Sequence, residues 1–155
     1  MSVDRAELVL RAALGVAVSV LLVAMVAICL AEVVLRYVFA GSFSWYDETV
    51  GYLLVWLTFL GAVLAQSHDQ HIGIGDLVER ASPRLRQALQ LARHLVLAAV
   101  HLVLLVYGWQ LAVRFLGERA ITVPVPMGAV YAVVPLSAAL MLLVEAARIA
   151  RLVRA

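Results

Sequence analysis

The sequence predicts an all-α integral membrane fold, with four transmembrane helices, an interfacial amphipathic helix between the second and third, and both termini in the cytoplasm. Three observations carry this. Four stretches, 12–31, 49–67, 95–113 and 120–144, hold no Asp, Glu, Lys or Arg. Roughly 20 helical residues cross the ~30 Å hydrocarbon core, and helices or closed barrels are the structures that satisfy their backbone hydrogen bonds there. The composition is 65% hydrophobic and 14% charged with a mean hydropathy of +1.02, beyond what a soluble core needs. The twelve basic residues are all Arg. Nine of them (5, 11, 80, 84, 86, 93, 148, 151 and 154) lie on one side of the predicted spans and three (36, 114 and 119) on the other. By the positive-inside rule the nine face the cytoplasm. A single membrane domain over 1–155 is expected.

The first span is expected over about 12–36. Asp4 and Glu7 interrupt the basic start, which argues against a cleaved secretory signal. Glu32 and Arg36, one helical turn apart in acid-first order, carry the helix beyond the hydrocarbon to about Phe39. Gly41 and Ser42 break it. The second span, about 45–67, starts with Ser44 as N-cap candidate and Asp47 and Glu48 in the first turn, where the helix dipole favours acids. Gly51 and Gly61 are small residues that let neighbouring helices approach closely. The amphipathic cytoplasmic-face segment is placed over about 72–93. Ser82 and Pro83 signal a helix start, after which Leu85, Ala88, Leu89 and Ala92 share one face and Arg86, Gln87, Gln90 and Arg93 the other. This segment is expected to lie along the membrane surface before the chain turns into the third span, about 95–113. The competing reading is a plain extension of that span. Pro124 and Pro126 precede the fourth span, about 126–144, and Pro135 inside it removes one backbone hydrogen bond.

Little here suggests chemistry. Charges stay at the span ends, whereas a self-sufficient coupled transporter would carry ionisable groups near the midplane. Of the histidines, His68, His71 and His94 form an interfacial group without a completing cysteine or acidic motif, and His101 enters a span by about two turns. Cys29 is alone, so no disulfide forms within the chain. No catalytic, cofactor-binding or metal-binding residue is assigned, no cofactor is expected, and nucleic acid is not an expected partner because the arginines follow the membrane boundaries. An alternative is a haem- or quinone-binding anchor subunit of a respiratory enzyme, with His94 or His101 as ligand. A small multidrug exporter using Glu32 is disfavoured by the position of Glu32 at the rim beside Arg36.

The run RYVFAGSFSWYDETVGYLLVWLTFLGAVLAQSHDQHIGIGDLVE resembles the small membrane subunit, DctQ type, of TRAP (tripartite ATP-independent periplasmic) transporters. The resemblance rests on Arg36 and Tyr37, Trp45 with Asp47 and Glu48, Trp56 with Phe59, Leu60 and Gly61, and His71 with Ile72. A second signature is Pro126, Met127, Tyr131 and Pro135. Asp47-Glu48 stands in place of the more usual Glu-Glu pair, and Glu145 stands where an Arg often follows the last span. The resemblance implies a non-catalytic subunit of the bacterial inner membrane, part of a sodium-coupled, binding-protein-dependent symport system for an organic acid. Its implied partners are the large TRAP membrane subunit, which carries the substrate and sodium sites, and the periplasmic substrate-binding protein. Arg36, Trp45, Asp47, Glu48, Trp56 and Gly61 are the candidate partner-contact or interfacial residues. Arg84, Arg86 and Arg93 are candidates for lipid headgroups.

Overall fold

The computed structural model describes residues 2–67 and 83–154, with side chains over 8–67 and 85–150. The described residues form five helices: α1 (Ser2–Val38), α2 (Tyr46–Ser67), α3 (Pro83–Arg114), α4 (Met127–Tyr131) and α5 (Val133–Arg154). Four stretches are long and apolar enough to cross a membrane: Leu8–Val38, Tyr46–Ser67, Leu85–Arg114 and Met127–Ala150. The protein is a multi-pass membrane protein.

Successive spans run in opposite directions and leave two ends, so that α2 and α5 run the same way. The turn end carries residues 39–45 and the loop 115–126, and at the other, the termini end, α2 finishes and α3 begins. α1 packs on α2, α2 also packs on α5, and α5 packs most extensively on α3. The apolar centre is Leu14, Leu60, Val63, Val133 and Met141, with Trp56 and Phe59 laid against it. The apolar part of α1, 31 residues, is about 46 Å long at ~1.5 Å per residue, against a hydrocarbon thickness of ~30 Å. It therefore tilts, projects, or both.

The C-terminal end of α1 and the start of α2 follow local chemistry. The Glu32–Arg36 pair forms as its spacing requires, at 2.8 Å. α1 ends at Val38, and the left-handed residue of the turn is Ala40 (φ 53°), one position before Gly41. The Gly41 N–H then returns to the Leu35 carbonyl at 3.1 Å. α2 begins at Tyr46, one residue later than a Ser44 cap would set it, with Asp47 and Glu48 in its first turn.

The predicted fourth helix is divided at Ala132. Pro135 has no N–H to offer the Tyr131 carbonyl, so the ladder lapses while Ala132 stays right-handed (φ −61°, ψ −22°) and the chain runs on in nearly the same course. Two glycines seat this broken helix on α3. A methyl group on Gly108 would lie 2.8 Å from Val134 Cγ1 and 3.1 Å from Pro135 Cδ, and one on Gly128 would lie 2.6 Å from the Ala112 carbonyl oxygen. Gly51 and Gly61, which sequence reasoning assigned to close helix approach, have nothing within 4 Å of a Cβ added at either. The close contacts within the chain lie where α3 meets α4 and α5 instead, at Gly128 and Gly108.

A second difference concerns the amphipathic segment. Residues 72–82 fall outside the described residues, and 83–93 are the first turns of α3, continuous with the span. Between Arg84 and Tyr107 there is no glycine or proline to end a helix, so the ladder runs straight through the boundary at His94. Its apolar face is left open, with Leu85 and Leu89 exposed.

Candidate functional site

Polar side chains converge at two places, one at each end of the bundle. At the turn end the residues 118–127 form a small hairpin. Arg119 and Pro126 make an antiparallel bridge, Ala120 N–H donates to the Val125 carbonyl at 3.0 Å, and Met127 N–H to the Glu118 carbonyl at 2.9 Å. Glu48, in the first turn of α2, reaches the tip of this hairpin. Its Oε1 accepts from the Ile121 N–H at 2.9 Å and its Oε2 from the Thr122 N–H at 2.7 Å. The Thr122 hydroxyl also bonds to Oε2. The Tyr52 hydroxyl lies 2.7 Å from Glu48 Oε1 and 3.1 Å from Met127 Sδ. One carboxylate thus ties α2 to the loop ahead of α4, a connection across 73 to 74 residues of sequence.

The neighbouring turn is tied in the same manner. Glu32 is buried, and it accepts from Arg36 at 2.8 Å and from the Phe43 N–H at 3.0 Å. Phe43 stacks on Trp45 with ring centroids 4.9 Å apart. The Tyr46 hydroxyl donates to Cys29 Sγ at 3.6 Å. The predicted residues of this turn therefore separate by role. Arg36 and Asp47 are exposed at the rim, Trp45 is half-buried against Phe43, and Glu48 is held by the loop. Trp56 lies half-buried against the apolar centre of the chain itself.

At the termini end, Glu145 is 0% exposed. Its Oε1 accepts from Gln66 Nε2 at 2.6 Å, and its Oε2 lies 2.6 Å from His94 Nδ1. Arg148, one turn on, places NH1 3.9 Å from Oε1 and donates from NH2 to the Gln66 carbonyl at 2.6 Å. A carboxylate sealed from solvent is tolerable because neighbouring donors and a guanidinium replace its hydration. The sequence puts charges, Glu145 and Arg148 among them, at the span ends and His94 in an interfacial histidine group. Instead the cluster is internal, because α2, α3 and α5 meet there and cover it. His68 and His71 lie outside the described residues. The available signal was Glu145 directly behind an apolar run with Arg148 at i+3, and Gln66 in the last turn of α2. His101, two turns above His94, is also buried, and its Nδ1 has no hydrogen-bond partner among the described residues.

Of the three arginines assigned to headgroups, Arg86 is exposed and Arg93 half-buried. The side chain of Arg84 is outside the described residues. Among the described residues no group of three or more His, Cys, Asp or Glu is arranged to hold a metal ion.

The family of tripartite ATP-independent periplasmic transporters, DctQ component, matches residues 25–155. The chain is a member of that family. DctQ components are non-enzymatic transporter subunits, which sets the chain apart from a respiratory anchor. It is 46% identical over 52 residues to a protein of Haemophilus influenzae named as a TRAP transporter small permease protein, covering 34% of this chain and 32% of the relative. It is 30% identical over 97 residues to the C4-dicarboxylate TRAP transporter small permease protein DctQ of Vibrio cholerae, covering 63% of this chain and 42% of that protein. The aligned part thus spans less than half the length of either relative. What the family shows of the chain is the DctQ component type of tripartite ATP-independent periplasmic transporters.

Proposed function

We propose that this DctQ component braces the large membrane subunit of a sodium-coupled, binding-protein-dependent TRAP transporter for an organic acid, and helps dock the periplasmic binding protein. The observation that carries the reading is the distribution of its side chains. Polar groups are consumed in ties between helices at the two ends, the centre is filled by Leu14, Leu60, Val63, Val133 and Met141, and α1 packs on α2 alone among the described elements. Val16, Val20, Val23 and Leu30 of α1 stay exposed. Such a chain offers surface to lipid or a larger partner and little interior for a solute. The relative in Vibrio cholerae, named for C4-dicarboxylates, supports an organic acid as cargo.

In this reading both termini are cytoplasmic and the turn end is periplasmic, as the nine-to-three arginine split favours. Arg36, Trp45 and Asp47 contribute partner contacts at the periplasmic rim. Glu48 acts there through the loop it holds. Gly61, open on its Cβ side, belongs to a face a partner helix can approach. Trp56 supports that face from within. Arg84, Arg86 and Arg93 meet anionic headgroups on the cytoplasmic side.

The test is co-expression with the large membrane subunit and the binding protein, followed by purification on a tag carried by this chain. Co-purification of the large subunit, and sodium-dependent uptake of an organic acid by proteoliposomes only when both membrane subunits are present, is the expected result. Uptake by this chain alone, or failure to retain the large subunit, would overturn the proposal.

A further inference from the structure

We propose that the hairpin tip at Ile121–Thr122 is a carboxylate-binding nest, filled in this chain by its own Glu48 and open to a small free carboxylate anion when Glu48 is removed. The inference does not depend on the chain's place in a transporter. Its basis is how the loop shares out its backbone donors. The amides of Ala120, Val125, Met127 and Gly128 are all spent inside the loop and its junctions, on the carbonyls of Val125, Val123, Glu118 and Phe115 at 2.8 to 3.0 Å. The amides of Ile121 and Thr122 instead point at one carboxylate, at 2.9 and 2.7 Å, joined by the Thr122 hydroxyl and on the other side by Tyr52.

The two amides divide between the two oxygens, Ile121 to Oε1 and Thr122 to Oε2. That is the geometry of successive backbone N–H groups forming an anion-binding concavity. Because the hairpin is closed by its own backbone bonds, among them the two that make the Arg119–Pro126 bridge, the concavity stands without Glu48. Ile121 and Thr122 are exposed, so the site is reached from water. A tethered side chain acts at an effective concentration on the order of millimolar or more. Glu48 therefore excludes a dilute free acid from the wild-type chain, and a variant lacking it exposes the nest.

The experiment uses the purified full chain and reads the amide signals of Ile121 and Thr122 by nuclear magnetic resonance, with acetate as probe. In Glu48→Ala the two signals shift and their hydrogen exchange speeds up, while the amides of Ala120 and Met127 stay protected. Acetate at tens of millimolar, an order set by the effective concentration it must match, then returns both signals toward their wild-type positions in a saturable manner. Chloride at equal ionic strength and neutral acetamide do not. Thr122→Val added to Glu48→Ala weakens the acetate response several-fold, and the wild-type chain does not respond over the same range.

If Glu48→Ala fails to fold, Glu48→Gln carries the test. Its amide nitrogen faces a donor wherever its oxygen is satisfied, so acetate displaces it where it cannot displace glutamate. Three results would overturn the proposal: no saturable response with Ala120 and Met127 still protected, an equal response in the wild-type chain, or loss of the hairpin's own protection once Glu48 is gone.

Discussion

Replacing Glu145 by alanine tests whether the cluster at the termini end holds three helices together. The side chain is fully buried and takes 2.6 Å bonds from Gln66 on α2 and His94 on α3. Truncation strands both donors in an interior that water does not reach, since His94 is 7% exposed. It also deprives Arg148 of the carboxylate 3.9 Å away, although that guanidinium keeps its bond to the Gln66 carbonyl. Breaking a buried charged pair by removing one partner costs roughly 3–5 kcal/mol, and a stranded neutral donor about 1–3 kcal/mol. Because these terms overlap, the expected loss for Glu145→Ala is about 3–5 kcal/mol. Glu145→Gln keeps one acceptor and the volume, so about 1–3 kcal/mol is expected there, the range of a single charge-assisted bond. The assay is reversible denaturant unfolding in detergent, with His94→Ala and the double variant completing a cycle. A coupling of roughly 0.5–3 kcal/mol between His94 and Glu145 is expected for residues in contact. A loss below about 1 kcal/mol for Glu145→Ala, or additivity in the cycle, would refute the argument that this contact organises the bundle.

Four further outcomes follow from the packing, the backbone and the rim charges. Gly108→Ala and Gly128→Ala each force a methyl group to within 2.8 Å of Val134 Cγ1 and 2.6 Å of the Ala112 carbonyl oxygen, respectively. Each should cost about 1–3 kcal/mol of the chain's own stability by overpacking, measured by the same unfolding assay. Gly61→Ala meets nothing within 4 Å in this chain and should leave its stability equal or higher by up to about 1 kcal/mol. A larger residue there, Gly61→Leu, should instead reduce co-purification with the large membrane subunit. Ala40→Gly relieves a left-handed alanine (φ 53°) in the α1–α2 turn and should stabilise by about 0.5–1 kcal/mol, read as a raised denaturation midpoint. Charge reversal separates the two acids of the turn end. Asp47→Lys, at an exposed rim position, should weaken complex assembly while leaving the Ile121 and Thr122 amides protected, and Glu48→Lys should weaken assembly and deprotect both.

The membrane architecture was legible because lipid imposes its demand residue by residue. A span must be continuous and uncharged, so the four stretches and the arginines around them mark the helices without any knowledge of the fold. The Glu32–Arg36 pair was legible for the same reason, being local to one helix. What could not be read is which end groups face each other. Gln66, His94 and Glu145 come from three helices and meet only because of their relative rotation, and His94 Nδ1 and Glu145 Oε2 are 51 residues apart in sequence. A glutamate one turn from an arginine at the end of an apolar run has the same pattern whether it is solvated or sealed. The boundary at His94 is ambiguous in the same way. An amphipathic stretch leading into a span fits a surface helix or a straight extension, and only the absence of a helix breaker between Arg84 and Tyr107 favours the extension.

The glycines show how the bundle divides its labour. Where α3 meets the broken α4–α5 helix, Gly108 and Gly128 are fixed by atoms closer than a methyl group tolerates, those at Gly108 belonging to Val134 and Pro135 and those at Gly128 to Ala112 and Leu116. Where α2 turns outward, Gly51 and Gly61 face open space, and beyond α2 lies α1, packed on α2 alone among the described elements. One half of the molecule is therefore closed on itself and the other leaves unfilled volume and long apolar faces. In water that asymmetry would be a liability, but in a bilayer the open half is solvated by lipid until a better-fitting helix replaces it. The two polar ties then have a shared consequence. Glu145 fixes α2 to the closed half at one end and Glu48 fixes it at the other, so the open face of α2 is presented at a set angle. A partner that packs on that face binds a rigid surface and loses little entropy in ordering it.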